Sequence, residues 1–276
     1  MSQIIILGGG ILGLSTAYFI SLNPQADKQI TVIDSASCLF HDASGAATVI
    51  LANNWFEEPL QTLAQYSWNL HREFATEHDG RAKWDYPLAQ NVLSRTFSDV
   101  SATIESVTNT RNVTEPENAP KWLNVQNGMA IDIVSNFQQT SQEDPLKLSG
   151  FLYQRCKDQG VRFRLNAMTT SISRDGSGEI DGIEVEPSDA AGCQREKLAA
   201  TQVAIAAGAW SLGLFEALFP DASLDIPLWN TESGNSLLID TPGWNQDNDL
   251  KGCQPCVFND YLGFSFDMML LLLMAG

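Results

Sequence analysis

Ile4-Ile5-Ile6-Leu7-Gly8-Gly9-Gly10-Ile11-Leu12-Gly13, followed by Leu14-Ser15-Thr16-Ala17-Tyr18-Phe19-Ile20, is the stretch that decides the fold. The first four residues are apolar and show no alternation, which predicts a strand buried on both faces. The residues after the glycines predict a helix, stopped by Asn23-Pro24. Ile30-Thr31-Val32-Ile33 then predicts a second buried strand, closed by Asp34. Within 34 residues the chain spells strand, glycine turn, helix, strand, acid.

That order suits a dinucleotide. A pyrophosphate sits where free backbone amides and a helix dipole meet its charge. The first glycine permits the tight turn, the second lets phosphate near the backbone, and the third lets helix and strand pack closely. Here these are Gly8, Gly10 and Gly13, and Ala17 keeps the same helical face small one turn later. An acid ending the second strand takes the ribose hydroxyls. Asp34 stands there, 26 residues beyond Gly8.

The composition narrows the classes. The chain has 276 residues, 44% of them hydrophobic and 18% charged, enough for a core in one large domain or two modest ones. Its 16 basic and 33 acidic residues give a net charge of −17, which repels phosphate backbones and anionic lipid. No nucleic-acid partner and no membrane span are therefore expected. Only Met1-Ser2-Gln3 precedes the first apolar run, leaving no room for a signal peptide, and the five cysteines are an odd number. A cytoplasmic, thiol-reducing setting is the expectation.

Further along, Pro59 opens a predicted helix over residues 59–79 that Gly80 ends, with Leu60, Leu63, Ser67, Leu70 and Phe74 recurring at helical steps. Residues 107–120 form a polar loop. Asp144-Pro145 opens another helix, ended by Gly160, and residues 161–165 predict a strand. A meander follows with Asp175-Gly176 and Asp181-Gly182 as turn signals, then a buried strand over residues 202–206. Met268 to Met274 is too short to cross a membrane, and Leu262 to Gly276 reads as an interrupted ending.

The nucleotide pattern is broken after its second strand and resumes only beyond residue 145. A nucleotide domain interrupted by another domain favours FAD over NAD. The expected division is an FAD-binding domain over 1–52 and 145–218, and an incomplete substrate domain over 53–144 and 219–276.

At these residues the sequence resembles the D-amino-acid oxidase and glycine oxidase family of FAD-dependent oxidoreductases. Residues 6–18 are very close to that family's opening segment, and Val32-Ile33-Asp34 stands where its second strand ends, usually in Glu. Val203 to Ser211, with Ala207-Gly208-Ala209-Trp210, matches its later strand and turn near the flavin. Residues 160–172 resemble the piece along the adenine, with Thr169 at the contact position. Ala43-Ser44-Gly45, with Leu51-Ala52 and Trp55, is similar to a fungal-type subset. That subset continues with a basic residue, Ala and a Gly-Gly pair, where this chain has Ala46, Ala47, Thr48 and Val49. The family's C-terminal segment, which closes over the flavin ring, finds no match after Gly252.

The resemblance implies an α/β fold: a Rossmann-like, GR2-type nucleotide domain interrupted by an α+β substrate domain, its C-terminal part missing. It implies FAD as cofactor and, as cofactor-binding residues, Gly8, Gly10, Ile11, Leu12, Gly13, Asp34, Ser35, Ser44, Gly45, Thr169, Ala207, Gly208 and Trp210. The implied reaction oxidises a small amine or amino acid by hydride transfer to flavin, with oxygen as acceptor and peroxide as product. Such chemistry requires no dedicated general base, and no catalytic residue is assigned. A truncated remnant that binds nucleotide without turnover, or an NAD-dependent dehydrogenase, are the alternatives.

Other candidates are weaker. His41, His71 and His78 lack zinc-ligand spacing and suit surface or packing roles. Cys253-Gln254-Pro255-Cys256 resembles a redox dithiol without its strand-to-helix setting. Trp55, Trp68, Trp84 and Trp122 suit core packing more than a substrate cavity, and Arg72 and Arg81 suit a solvated helix face. Ser211 and Ser236 lack a nucleophile elbow.

Overall fold

The computed structural model describes residues 2–23, 27–47, 50–86, 92–97, 129–135, 138–189, 195–223, 256–260 and 268–270. Two compact units emerge, residues 1–47 with 145–235 and residues 48–144 with 236–276. The chain runs β1 (Ser2–Leu7), α1 (Ile11–Ser21), β2 (Lys28–Ile33) and α2 (Ala43–Ala46) in the first unit. In the second it forms β3 (Ile50–Ala52), α3 (Glu58–His78), α4 (Gly80–Trp84), β4 (Val92–Phe97), β5 (Met129–Ser135) and β6 (Thr140–Gln142). Back in the first unit come α5 (Pro145–Asp158), β7 (Arg162–Arg164), β8 (Ala167–Arg174), β9 (Ile180–Pro187), β10 (Glu196–Ala199), β11 (Gln202–Ile205) and α6 (Ser211–Leu218). β12 (Cys256–Asp260) and β13 (Met268–Leu270) fall in the second unit.

The first unit is a parallel sheet of order β11-β1-β2-β7, with Ile6 opposite both Val32 and Ala204. The unalternated run Ile4–Leu7 is buried throughout, because the sheet is covered on both faces. On one face Ile5, Leu7 and Ile33 join Ala167, Ile183 and Val185 of the antiparallel β10-β9-β8 meander and Leu218 of α6. On the other, Ile6 meets α1, and α1 packs on α5. Leu14 and Ala17 of α1, and Leu148, Leu152 and Cys156 of α5, are buried there. Burial pushes the Cys156 thiol up to about 12. That thiol donates to Leu14 O at 3.5 Å and serves packing.

Two turn signals resolve differently. Asp175 does close a turn, its Oδ1 accepting from the Ser177 N–H at 2.8 Å and the Glu179 N–H at 3.1 Å. Asp181-Gly182 lies instead inside β9. A Cβ on Gly182 would come within 2.8 Å of Leu198 O and 2.9 Å of Ser173 Oγ, so this glycine permits close strand approach.

In the second unit α3 ends at His78, and Asp79, not Gly80, takes the left-handed conformation at φ 57°. Gly80 opens α4, and a Cβ there would lie 2.6 Å from the Trp84 ring and 2.7 Å from Ala75 Cβ. The buried stripe of α3 is Ala64, Trp68 and Ala75. Leu60 and Leu63, expected on the core side, are exposed at 53% and 63%. The helix is rotated toward its large ring, and Trp68 and Trp84 are core residues, while Trp55 is exposed. β3 pairs antiparallel with β6, and a separate sheet has the order β13-β12-β4-β5. Residues 107–120, Thr48, Val49, Trp122, Ser236, Cys253 and residues 271–276 lie outside the described residues. Among the described residues no helix is long and apolar enough to cross a membrane.

Within that unit His71 Nδ1 meets Glu143 Oε2 at 3.3 Å. Burial alone lowers the His71 pKa, but the hydrogen bond and charge of Glu143 outweigh it and leave it above the ordinary 6.5. A pKa raised on folding adds stability that is full below 6.5 and is lost as pH rises through the folded value. His71→Gln should therefore cost about 1 kcal/mol near pH 5.5 and much less near pH 8.5, read by urea unfolding. In the first unit, Gly13→Ala should cost roughly 3 kcal/mol in the same assay. Gly150, a mid-helix glycine with open space at its Cβ, should gain up to ~1 kcal/mol as Ala.

Candidate functional site

The strand–turn–helix of the first unit assembles its site from backbone outward. Gly8 leaves β1 at φ 115°, its N–H donating to Ile33 O at 2.8 Å. A Cβ on Gly8 would lie closer than 3.0 Å to Ala206 O, so no other residue fits. Ala206 N–H in turn donates to Leu7 O at 2.7 Å. The Ala207–Trp210 turn is thereby held beside the glycine turn. A Cβ on Gly13 would overlap Gly8 O, the close helix–strand approach the motif needs.

Gly10 is the N-cap of α1 and has no side chain to satisfy the helix's first amides. Ser44, at the start of α2, supplies one acceptor: its Oγ takes the Ile11 N–H at 2.9 Å. A Cβ on Gly10 would sit 2.9 Å from that same oxygen. No acidic residue lies in the first turn of α1, so no charge on the helix itself compensates its positive pole. Leu12 is exposed beside it at 65%.

Asp34 shows more than the sequence foretold. Its Oδ2 accepts the Gly9 N–H at 2.6 Å and its Oδ1 the Ala36 N–H at 2.8 Å. The carboxylate thus joins the glycine turn to the loop after β2. Each oxygen retains a second acceptor site, open to adjacent hydroxyls. Ser35 beside it is exposed.

Further backbone bonds tie this loop to the meander. Asp34 N–H donates to Arg164 O at 2.9 Å, Asn166 N–H to Ala36 O at 2.9 Å, and Ala167 N–H to Asp34 O at 3.0 Å. β8 therefore begins against Asp34, two residues before Thr169. Thr169 Oγ1 is buried and has no hydrogen-bond partner among the described residues. An orphaned buried hydroxyl costs free energy unless something else satisfies it.

The structure sets Gly13 against Gly8, Ser44 against Gly10 and Ile11, Asp34 against Gly9, and Ala207 against Gly8. Gly208 has φ 55° with open space around it, and Trp210 is exposed at 63%. Gly45 has a different demand on it. Its missing Cβ makes room for Phe40 O, and Phe40 itself is at φ 61°. Sequence reasoning passed over Gly9 and Leu39, although a Cβ on Gly9 would meet Leu39 Cδ2 at 2.5 Å and Asp34 Oδ2 at 3.0 Å. The signal was present in the middle glycine of three in a row. His41 is exposed beside Asp42, and His78 packs edge-on against Phe74. Arg72 and Arg81 are exposed on their helices. Among the described residues no group of three His, Cys, Asp or Glu could hold a metal ion.

The glycine cradle, the Gly10-capped helix N-terminus with Ser44 beside it, the Asp34 carboxylate and the orphaned Thr169 hydroxyl fit a dinucleotide. Comparisons agree on the fold. An L-amino acid deaminase from Proteus vulgaris superposes with a TM-score of 0.56 at 14% identity, over 78% of this chain and 49% of that one. A glycine oxidase from Geobacillus kaustophilus gives 0.55 at 19%, over 79% and 58%. An L-proline dehydrogenase from P. horikoshii gives 0.56 at 17%, over 82% and 57%. Among curated sequences, the Schizosaccharomyces pombe protein C1F5.03c and the Saccharomyces cerevisiae protein TDA3, whose names describe them as oxidoreductases, are each 38% identical over 87 residues. Those residues are 30% of this chain and 22% and 16% of the two proteins, and the chain spans about half the length of its structural neighbours. The profile of one family, "FAD dependent oxidoreductase", matches residues 3–265, and to that family the chain belongs.

Proposed function

We propose that this chain binds FAD in its first unit and takes part in oxidising a small amine or amino acid. The observation that carries the reading is the glycine turn closed on Asp34 in front of a helix whose own N-cap residue, Gly10, offers no side chain. In that arrangement the amides at the start of α1 hold the pyrophosphate, with Ser44 Oγ beside them. Asp34 keeps the turn in shape and accepts ribose hydroxyls on its remaining lone pairs. The Ala207–Gly208 turn gives a backbone approach without a side chain. Thr169 Oγ1 gains a partner from the adenosine half.

FAD, when bound, supplies the hydride acceptor, and oxygen is the acceptor we assign for its reoxidation, giving peroxide. The amine or amino-acid substrate is supported by the named activities of the structural neighbours, a deaminase, an oxidase and a dehydrogenase of amino acids. Free Cys38 and Cys156 suit a reducing, cytoplasmic setting.

The test is anaerobic reduction. The chain loaded with FAD is mixed with glycine, D- and L-amino acids and secondary amines, and the flavin absorbance is followed. Bleaching by one class, then peroxide on admitting oxygen, is expected. Loaded protein that no amine bleaches contradicts the turnover part and leaves a nucleotide-binding protein. Asp34→Ala should weaken FAD at least about tenfold, since it removes charge-assisted hydrogen bonds. Glu179→Ala, exposed at the far turn of the meander, should change affinity by less than about twofold in the same fluorescence titration.

A further inference from the structure

The second unit holds a pocket of its own. It is about 280 Å³, lies between β3 and the first four turns of α3, and is lined by Ile50, Leu51, Phe56, Leu63 and Trp68 together with His71. Trp68 is buried, while Leu60 and Leu63 stand exposed at the mouth. A volume near 300 Å³, an apolar wall and few polar groups are the marks of a small-molecule site.

The polar part of the lining is built rather than incidental. His71 Nδ1 is engaged by Glu143 Oε2 at 3.3 Å, and the Glu143 side chain is only 8% exposed. That bond fixes the ring orientation and leaves Nε2 as the remaining donor when the ring is protonated. Glu143 continues a run of buried polar residues, Thr140, Ser141 and Gln142, on the strand that pairs with β3. The charged group that acts on His71 is Glu143, which together with Arg72 also acts on Tyr86.

We propose that this pocket binds a small aromatic or branched aliphatic monocarboxylate, with its apolar body against Leu51, Leu63 and Trp68 and its carboxylate accepting from His71 Nε2. Glu143 is turned to the other ring nitrogen, so its carboxylate does not occupy the Nε2 side. The site lies wholly within the second unit, so its test needs no bound cofactor and stands apart from the flavin reading.

The probes are phenylacetate and toluene, which share a ring and differ in the carboxylate. The full chain has three histidines, so the His71 ring protons can be followed by NMR and assigned with His71→Phe. Saturable movement of the His71 resonances by phenylacetate is expected, with weaker binding of toluene. His71→Phe should weaken phenylacetate at least about tenfold and change toluene less than about twofold. Leu60→Glu, at an exposed mouth position that the fold does not need, should weaken both. The proposal is overturned by no saturable phenylacetate binding at millimolar concentration, by equal affinity for the two probes in the unaltered chain, or by Leu60→Glu leaving both unchanged. Undiminished phenylacetate binding by a folded His71→Phe would overturn it as well.

Discussion

Everything in the first unit depends on a contact that only a hydrogen atom allows, the approach of Gly13 to the carbonyl of Gly8. With that approach α1 lies directly on β1, and Leu14 and Ala17 reach full burial with Ile6 beneath them. Any side chain at residue 13 would lift the helix, opening the core and moving the helix N-terminus away from the turn. Packing and the position of the helix N-terminus are therefore set by the same atom. Gly8 repeats the logic on the next strand, where its bare α-carbon admits Ala206 O and draws β11 and the following turn to the site.

Asp34 then converts a turn into a site. Its two oxygens hold Gly9 and Ala36, and its backbone is hydrogen-bonded to residues 164–167. One residue thus links the glycine turn, the loop after β2 and the start of the meander. The same carboxylate offers spare acceptor sites just where α1 points its amides. A helix pole without an acid in its first turn attracts an anion, and a carboxylate set to the side suits hydroxyls instead. The difference in chemistry across this short distance is what a phosphate-ribose unit requires.

The sequence was most legible where short-range rules dominate. An unbroken apolar run, three spaced glycines, an acid at a strand end and Asp144-Pro145 each found the element they predicted, because each rests on local backbone or dipole physics. It was least legible where tertiary packing chose among equivalent patterns. Leu60 and Leu63 lost the core side of α3 to Ala64 and Trp68, since the ring of Trp68 fills more space than either leucine. Asp181-Gly182 has the composition of a turn but sits in a strand, where Gly182 answers to the Leu198 carbonyl across the ladder. Gly9 was hidden between two motif glycines, its requirement visible only once Leu39 and Asp34 are in place. The Glu143–His71 pair joins residues 72 apart and leaves no sequence pattern.

The central claim is that this glycine turn and its acid hold FAD. Its most direct test is the visible absorption spectrum of the purified 276-residue chain, with cofactor released by heat and quantified. The account predicts one FAD per chain, either co-purified or taken up on addition. A colourless protein that takes up no added FAD would contradict it.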